Sequence, residues 1–231
     1  MSGSRFGRRV APGSARFAAL VAAALLAGCQ ASVGSSPAAG STASPRSGAA
    51  IPGCPSSQPP PLPTGQTRTV TIATRLGSIA IEVEGALSPI ATGNFVALAS
   101  CGFYDGVVFH RVVPGFVIQG GDGQFGRAPD LDRARIGTGG PGYTIQDEPV
   151  TATYARGVVA MARTPAPNSQ GSQFFIVLDD QARESLADAN TYAILGHVTS
   201  GMEVADAIAS AADAEIPSNP VAMDRLTVTS P

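Results

Sequence analysis

Residues 109–122 read F-H-R-V-V-P-G-F-V-I-Q-G-G-D. Two short apolar runs flank Pro114-Gly115, which is the pattern of a strand, a tight turn and a second strand. A strict two-residue alternation carried back to Val107 puts Phe109, Arg111 and Val113 on one face and Val108, His110 and Val112 on the other. An arginine in so apolar a strand, with no acid beside it in sequence, is either a groove residue or an energetic liability.

The flanking sequence repeats this strand grammar. Residues 68–74 and 78–84 alternate in polarity around Leu76-Gly77 and read as an antiparallel hairpin. Further strands are expected over 157–163, 172–178, 192–199 and 226–229. Ser88-Pro89 reads as a helix start, with Ser88 as N-cap, Ile90, Asn94-Phe95 and Leu98 at helical spacing, and Gly102 as the stop. A second helix is expected over 201–212, with Met202, Ala205 and Ile208-Ala209 on one face. Residues 120–142 are rich in glycine and poor in apolar residues, and so belong to surface loops. Short strands at this density with two separated helices predict a mainly β domain over 66–231: a closed eight-stranded antiparallel β-barrel capped by two α-helices.

The chain has 231 residues and a formal net charge of −2. All 15 basic residues are arginine, which excludes a P-loop lysine, a Schiff-base lysine and a lysine general base. Without lysine, the glycine runs at 120–121 and 137–142 read as turn geometry rather than a phosphate cradle. The charge is unevenly spread. Residues 66–231 carry ten arginines against all 17 acids, about −7, which argues against a nucleic-acid partner. Three cysteines and two histidines without metal-ligand spacing predict no metal, and no cofactor is called for.

Residues 1–28 read as an export signal. Arg5, Arg8, Arg9 and Arg16 precede ten unbroken apolar residues, Phe17 to Leu26, a run too short to span a membrane. It ends in Leu26-Ala27-Gly28-Cys29, which resembles the lipobox of bacterial lipoproteins and implies lipidation of Cys29. Of residues 30–65, 27 are Ser, Ala, Pro or Gly, so residues 29–65 are expected to form a lipidated, disordered tether. The expected location is the bacterial cell envelope, with the chain lipid-anchored at the extracytoplasmic face of the membrane. Once Cys29 is assigned, Cys54 and Cys101 remain. In an exported protein such a pair is expected to form a disulfide that fastens the end of the tether beside the first helix.

Three segments carry more than a plain strand needs: 109–122, M-A-R-T-P-A-P-N-S-Q-G-S-Q-F-F-I at 161–176, and Y-A-I-L-G-H-V-T-S-G-M-E-V at 192–204. With G-F-Y-D-G at 102–106 and G-T-G-G-P-G-Y at 137–143, they resemble the cyclophilin family of peptidyl-prolyl isomerases over roughly 68–229. The resemblance implies a barrel with a shallow groove on its outer wall. It also implies that Arg111 is the catalytic arginine and that Phe116, Val117, Phe175 and Leu186 form a proline pocket. Gln119 would hold the arginine and contact the peptide; Ala162, Arg163 and Gln173 would line the groove; Tyr192 would close one side. The implied partners are proline-containing polypeptides, and a monomer is expected.

The sequence departs from the family pattern in three places. Arg163 stands where asparagine is frequent, and Tyr192 stands where many members have histidine. Ser185 is the counterpart of a tryptophan that donates an indole N–H to cyclosporin, so weak cyclosporin binding is expected. His110 reads as a hydrogen-bonded structural histidine, since the implied reaction needs no proton transfer. His197 reads as structural or exposed, and Phe109 and Phe174 as core. A peptide-binding module or holdase on the same fold, with incidental isomerase activity, is the competing function.

Overall fold

The computed structural model describes residues 51–230; the signal segment, Cys29 and residues 30–50 lie outside the described residues. Eight strands form one antiparallel sheet: β1 (Thr67–Thr74), β2 (Gly77–Glu84), β3 (Phe109–Val113), β4 (Val117–Gly120), β5 (Val158–Met161), β6 (Phe174–Val177), β7 (Ile194–Ser200) and β8 (Arg225–Thr229). Their order is β3-β4-β6-β5-β7-β2-β1-β8. Among the described residues three helices accompany them: α1 (Pro89–Ser100), α2 (Ala182–Ala189) and α3 (Met202–Ser210). Among the described residues no helix is long and apolar enough to cross a membrane.

The expected closed barrel is corrected to a curled half-barrel. β3 and β8 are the edges of the ladder and do not pair with each other. The chain entering β8 passes beside β3 only briefly, through the isolated Val108–Ala222 bridge and the bond from Phe109 N–H to Val221 O at 2.9 Å. By Arg225 the chain has turned to pair with β1. The inner face holds Val70, Ile72, Ile79, Ile81, Phe109 and Phe174, and Phe95 and Leu98 of α1 join the same core, all fully buried, with Phe95, Tyr104 and Phe174 in tilted and edge-on ring contact.

Strict alternation fails in β3, and the failure is informative. Phe109 and His110 are both buried, because the register with β4 shifts between Phe109 and Arg111. The extra residue of this bulge lets Phe109 enter the core while Arg111 faces outward. After it, Val112 turns in and Val113 out, as the period requires.

The cap of α1 also differs from expectation. The Ser88 side chain makes no cap hydrogen bond, and its hydroxyl is buried without a partner among the described residues. The carboxylate of Glu148 accepts instead from the N–H groups of Ile90 and Ala91, each at 2.8 Å. A carboxylate satisfies the orphan donors of a first turn as well as a serine does and complements the helix dipole. Sequence separation hides it. α2 is a third helix beyond the two expected: it is short, half of its eight residues are polar, and Ala182 and Leu186 are its buried residues. Its signals are an acid in the first turn, Glu184, and the left-handed Asn190 that ends it.

Residues 51–65, assigned by composition to the tether, are instead a strap on the domain. Leu62 is buried and its N–H donates to Pro89 O at 2.9 Å; Gln146 N–H donates to the Gln58 side chain. Gly93 in the middle of α1 makes room for the strap, since a Cβ there would lie 2.4 Å from Pro60 O. Proline-rich chain has little conformational freedom to lose on docking, so few apolar anchors suffice. Cys54 is disulfide-bonded to Cys101, the C-cap of α1.

Candidate active site

The register of the sheet aligns the outward residues across five strands. Arg111 on β3 faces Gln119 on β4, Gln119 faces Phe175 on β6, Phe175 faces Ala160 on β5, and Ala160 faces Ile194 on β7. At one strand spacing per step, Arg111 and Phe175 sit roughly 10 Å apart along this row. The row is cationic at Arg111, polar at Gln119 and apolar from Phe175 onward.

Its apolar part is a cluster separate from the main core. Val117, Tyr154, Ala160, Phe175, Leu186 and Ile194 are buried in it, and Phe116, Ala162 and Tyr192 are half-buried at its edge. Leu186 arrives on α2, the missed helix. Tyr192 packs edge-on against Phe175 with ring centroids 5.4 Å apart. Its backbone is held by Tyr154, whose hydroxyl donates to Tyr192 O at 3.0 Å and accepts from Tyr192 N–H at 3.1 Å. No sequence motif marks Tyr154. Ser185 stands exposed on α2.

A cavity of about 610 Å³ adjoins this cluster and shares Ala162 with it. Gln119, Arg163 and Gln173 line it, with the glycine-rich 137–144 segment opposite. The Gln119 amide donates to Gln173 Oε1 at 3.0 Å, and Gln173 donates in turn to Gly137 O and Gly139 O, both at 2.9 Å. Asn94, buried on α1, holds the far wall: it donates to Gly171 O and accepts from the Tyr143 hydroxyl, each at 2.7 Å. Burial pushes the Tyr143 hydroxyl up to about 12, so it remains a proton donor at neutral pH.

Arg163 lines the cavity without presenting a free charge to it. Its side chain is only 9% exposed and lies 3.0 Å from Asp147 Oδ2, and its guanidinium also donates to the carbonyls of Thr164, Ala166 and Thr191. Partial burial pushes the Asp147 carboxyl up, but Asn168 N–H, the Gln170 amide and Arg163 together hold it below the usual carboxylate range. The arginine therefore braces the 163–169 loop where a shorter residue could not reach.

Arg111 itself is a third exposed. Its Nε lies 2.7 Å from Glu215 Oε1 in an open ion pair rather than an internal one. Gln119, its cross-strand neighbour, is engaged with Gln173 instead. Glu215 follows α3 in a loop that sequence reading left without a role.

His110 is buried; its ring nitrogens make no hydrogen bond of good geometry among the described residues, and the Gln173 side chain and the Val108 backbone are the polar groups that act on it. Burial pushes its pKa down, against the pull of the Asp122 carboxylate. Asp122 accepts from the backbone N–H groups of Gln124, Phe125, Gly137 and Gly139, folding the 123–136 loop around itself. His197 is exposed and groups with Glu82 and Glu84 on neighbouring strands, its Nδ1 3.4 Å from Glu84.

The model of the cyclophilin type peptidyl-prolyl cis-trans isomerase family matches residues 69–228, all eight strands except the first two residues of β1 and the last of β8. The chain belongs to that family. It is 40% identical over 149 residues to a probable peptidyl-prolyl cis-trans isomerase of Brucella abortus, covering 64% of this chain and 74% of that protein. Over 129 residues it is 41% identical to peptidyl-prolyl cis-trans isomerase B of Bacillus subtilis, covering 55% and 80%. The crystal structure of a cyclophilin type isomerase from Cryptosporidium parvum superposes with a TM-score of 0.60 at 28% identity, covering 71% of this chain and 99% of that one. A second structure of that protein, in the presence of the dipeptide Ala-Pro, gives 0.59 at 29% identity. This cyclophilin is a peptidyl-prolyl cis-trans isomerase, and its outer-face row is the candidate site for that activity.

Proposed function

We propose that this isomerase turns X-Pro bonds by a non-covalent route in which Arg111 stabilises the twisted amide. The observation that supports it is the row from Arg111 through Gln119 to Phe175, which sets a guanidinium near the edge of an apolar cluster. Amide resonance sets a barrier of about 18–20 kcal/mol, while cis and trans X-Pro bonds differ by about 1 kcal/mol or less. In the twisted state the proline nitrogen loses conjugation and its lone pair becomes a better acceptor. A guanidinium N–H near that nitrogen binds the twisted amide more tightly than either planar form, which is what lowers the barrier. Phe116, Val117, Phe175, Leu186 and Tyr192 anchor the ring while the acyl side rotates. Gln119, Ala162, Arg163 and Gln173 bind the preceding peptide. No proton changes hands.

A flat pH–rate profile is the corresponding test. Exchange NMR or a protease-coupled assay on an Ala-Pro peptide is expected to give a nearly constant kcat/KM from about pH 6 to 9, because no proposed group titrates there; a bell shape overturns the mechanism. Stability behaves differently. His110 has a folded pKa below its unfolded value of about 6.5, so the unfolded chain binds the extra proton in between, and stability is full above that value and falls below it.

We further propose that the clients are exported polypeptides and that the enzyme is a monomeric folding factor held at the extracytoplasmic membrane face through lipidated Cys29. The signal-like 1–28 segment and its lipobox-like end support this. Replacing Cys29 by serine is expected to move the protein from the membrane to the soluble fraction, and a variant that stays membrane-bound removes the anchor. Weak cyclosporin binding belongs to the same reading, since Ser185 offers no indole N–H; nanomolar inhibition contradicts it.

A further inference from the structure

We propose that Glu215 is the positioning residue for Arg111, holding its guanidinium by Nε so that both Nη groups face the substrate. The inference rests on the reading of Arg111 as the donor to the twisted amide. Three observations carry it. The Arg111 Nε–Glu215 Oε1 distance is 2.7 Å, and the Glu215 carbonyl accepts from Val112 N–H at 2.8 Å, so side chain and backbone of Glu215 grip two consecutive residues of β3. The loop bearing Glu215 is itself braced: Asp213 accepts from Ser218 N–H at 2.8 Å, and Arg133 donates to Pro217 O and Ser218 O at 3.1 and 2.5 Å. Arg133 lies in the 123–136 loop, which thereby acquires a contact at the groove's edge. Finally, Gln119, the neighbour expected to hold Arg111, donates to Gln173.

The chemistry favours orientation over stability. An ion pair with side chains 36% and 60% exposed is well solvated and adds little to folding. A guanidinium is a rigid fork of five N–H donors on a flexible stem, so a single bond at Nε removes most of its rotational freedom and leaves four donors free. A peptide seated over the pair displaces water and strengthens it when the guanidinium must hold still. Glu215 does not touch the reacting atoms; it acts through Arg111.

The test is a double-mutant cycle on the whole protein with an Ala-Pro peptide, using Glu215→Ala, Glu215→Gln, Arg111→Ala and Arg111→Ala with Glu215→Ala. Glu215→Ala is expected to lower kcat about tenfold, within what a misplaced reacting group can lose, while KM and the melting temperature stay put. Glu215→Gln, whose amide oxygen still accepts from Nε, recovers most of the rate. The double variant is no slower than Arg111→Ala alone, a non-additivity that a merely structural role does not produce. A Glu215→Ala enzyme as fast as wild type or faster, or losses that multiply in the double variant, overturns the proposal and leaves Arg111 as donor. Full activity of Arg111→Ala removes the donor reading and this proposal with it.

Discussion

Arg111→Ala is expected to lower kcat/KM on an Ala-Pro peptide by about 10²–10³-fold, the usual loss when one transition-state donor is removed. The side chain is a third exposed and its ion partner more exposed still, so truncation leaves no buried charge unpaired. The melting temperature should hold, and the loss should therefore lie in kcat rather than in folded fraction. Arg111→Lys keeps the charge but not the planar fork, and it gives up the Nε–H that Glu215 accepts; it is expected to fall between wild type and alanine. A holdase with incidental activity would keep its hold on unfolded clients through either change. Exchange NMR with saturating peptide separates kcat from KM, and an Arg111→Ala enzyme within about threefold of wild type, far from the expected loss, would sink the mechanism.

Opening the Cys54–Cys101 bond is expected to cost about 4 kcal/mol, the chain-entropy value for a loop of this length. For a domain of this size that corresponds to about 10 °C in melting temperature. The bond fixes the strap, whose remaining anchors are few: Ile51 against the main core, the buried Leu62, the Leu62 N–H on Pro89 O, and the Gln58 contact with Gln146. Reduction therefore frees the strap from α1 and uncovers the Gly93 side of that helix, where the strap's backbone now packs. Isomerisation uses neither sulfur, so kcat/KM at 25 °C should be unchanged. Calorimetry with and without reductant, alongside a Cys54→Ser Cys101→Ser variant, measures it. An unchanged melting temperature would mean that the strap is held by its packing alone.

The strand segments were legible because half-buried strands write their two-residue period into the sequence, as in the 67–84 hairpin, and because the motif-bearing stretches are long. The site residues were legible for the second reason alone. Nothing in the apolarity of Val117, Phe175 or Leu186 distinguishes a pocket wall from a core residue. What stayed hidden was carried by single residues acting over long separations. Glu148 caps a helix 58 residues away, Tyr154 holds Tyr192 across 38 and Glu215 reaches Arg111 across 104. No local period or propensity reports such pairs. The strap was misread for the converse reason: its composition is that of a disordered linker, and only a helix with glycine at the right turn gives it a surface to lie on.

From its residues alone the chain determined a mainly β architecture, an arginine set in an apolar strand, and an acidic domain without lysine. Each of these follows from composition and short-range pattern, which hold whatever the chain does elsewhere. Tertiary structure decided that the half-barrel stays open between β3 and β8, that a bulge turns Arg111 outward while Phe109 goes in, and that Glu215 rather than Gln119 meets the guanidinium. These depend on which distant segments arrive side by side, and that is set by the packing of the whole sheet rather than by the preferences of any one segment.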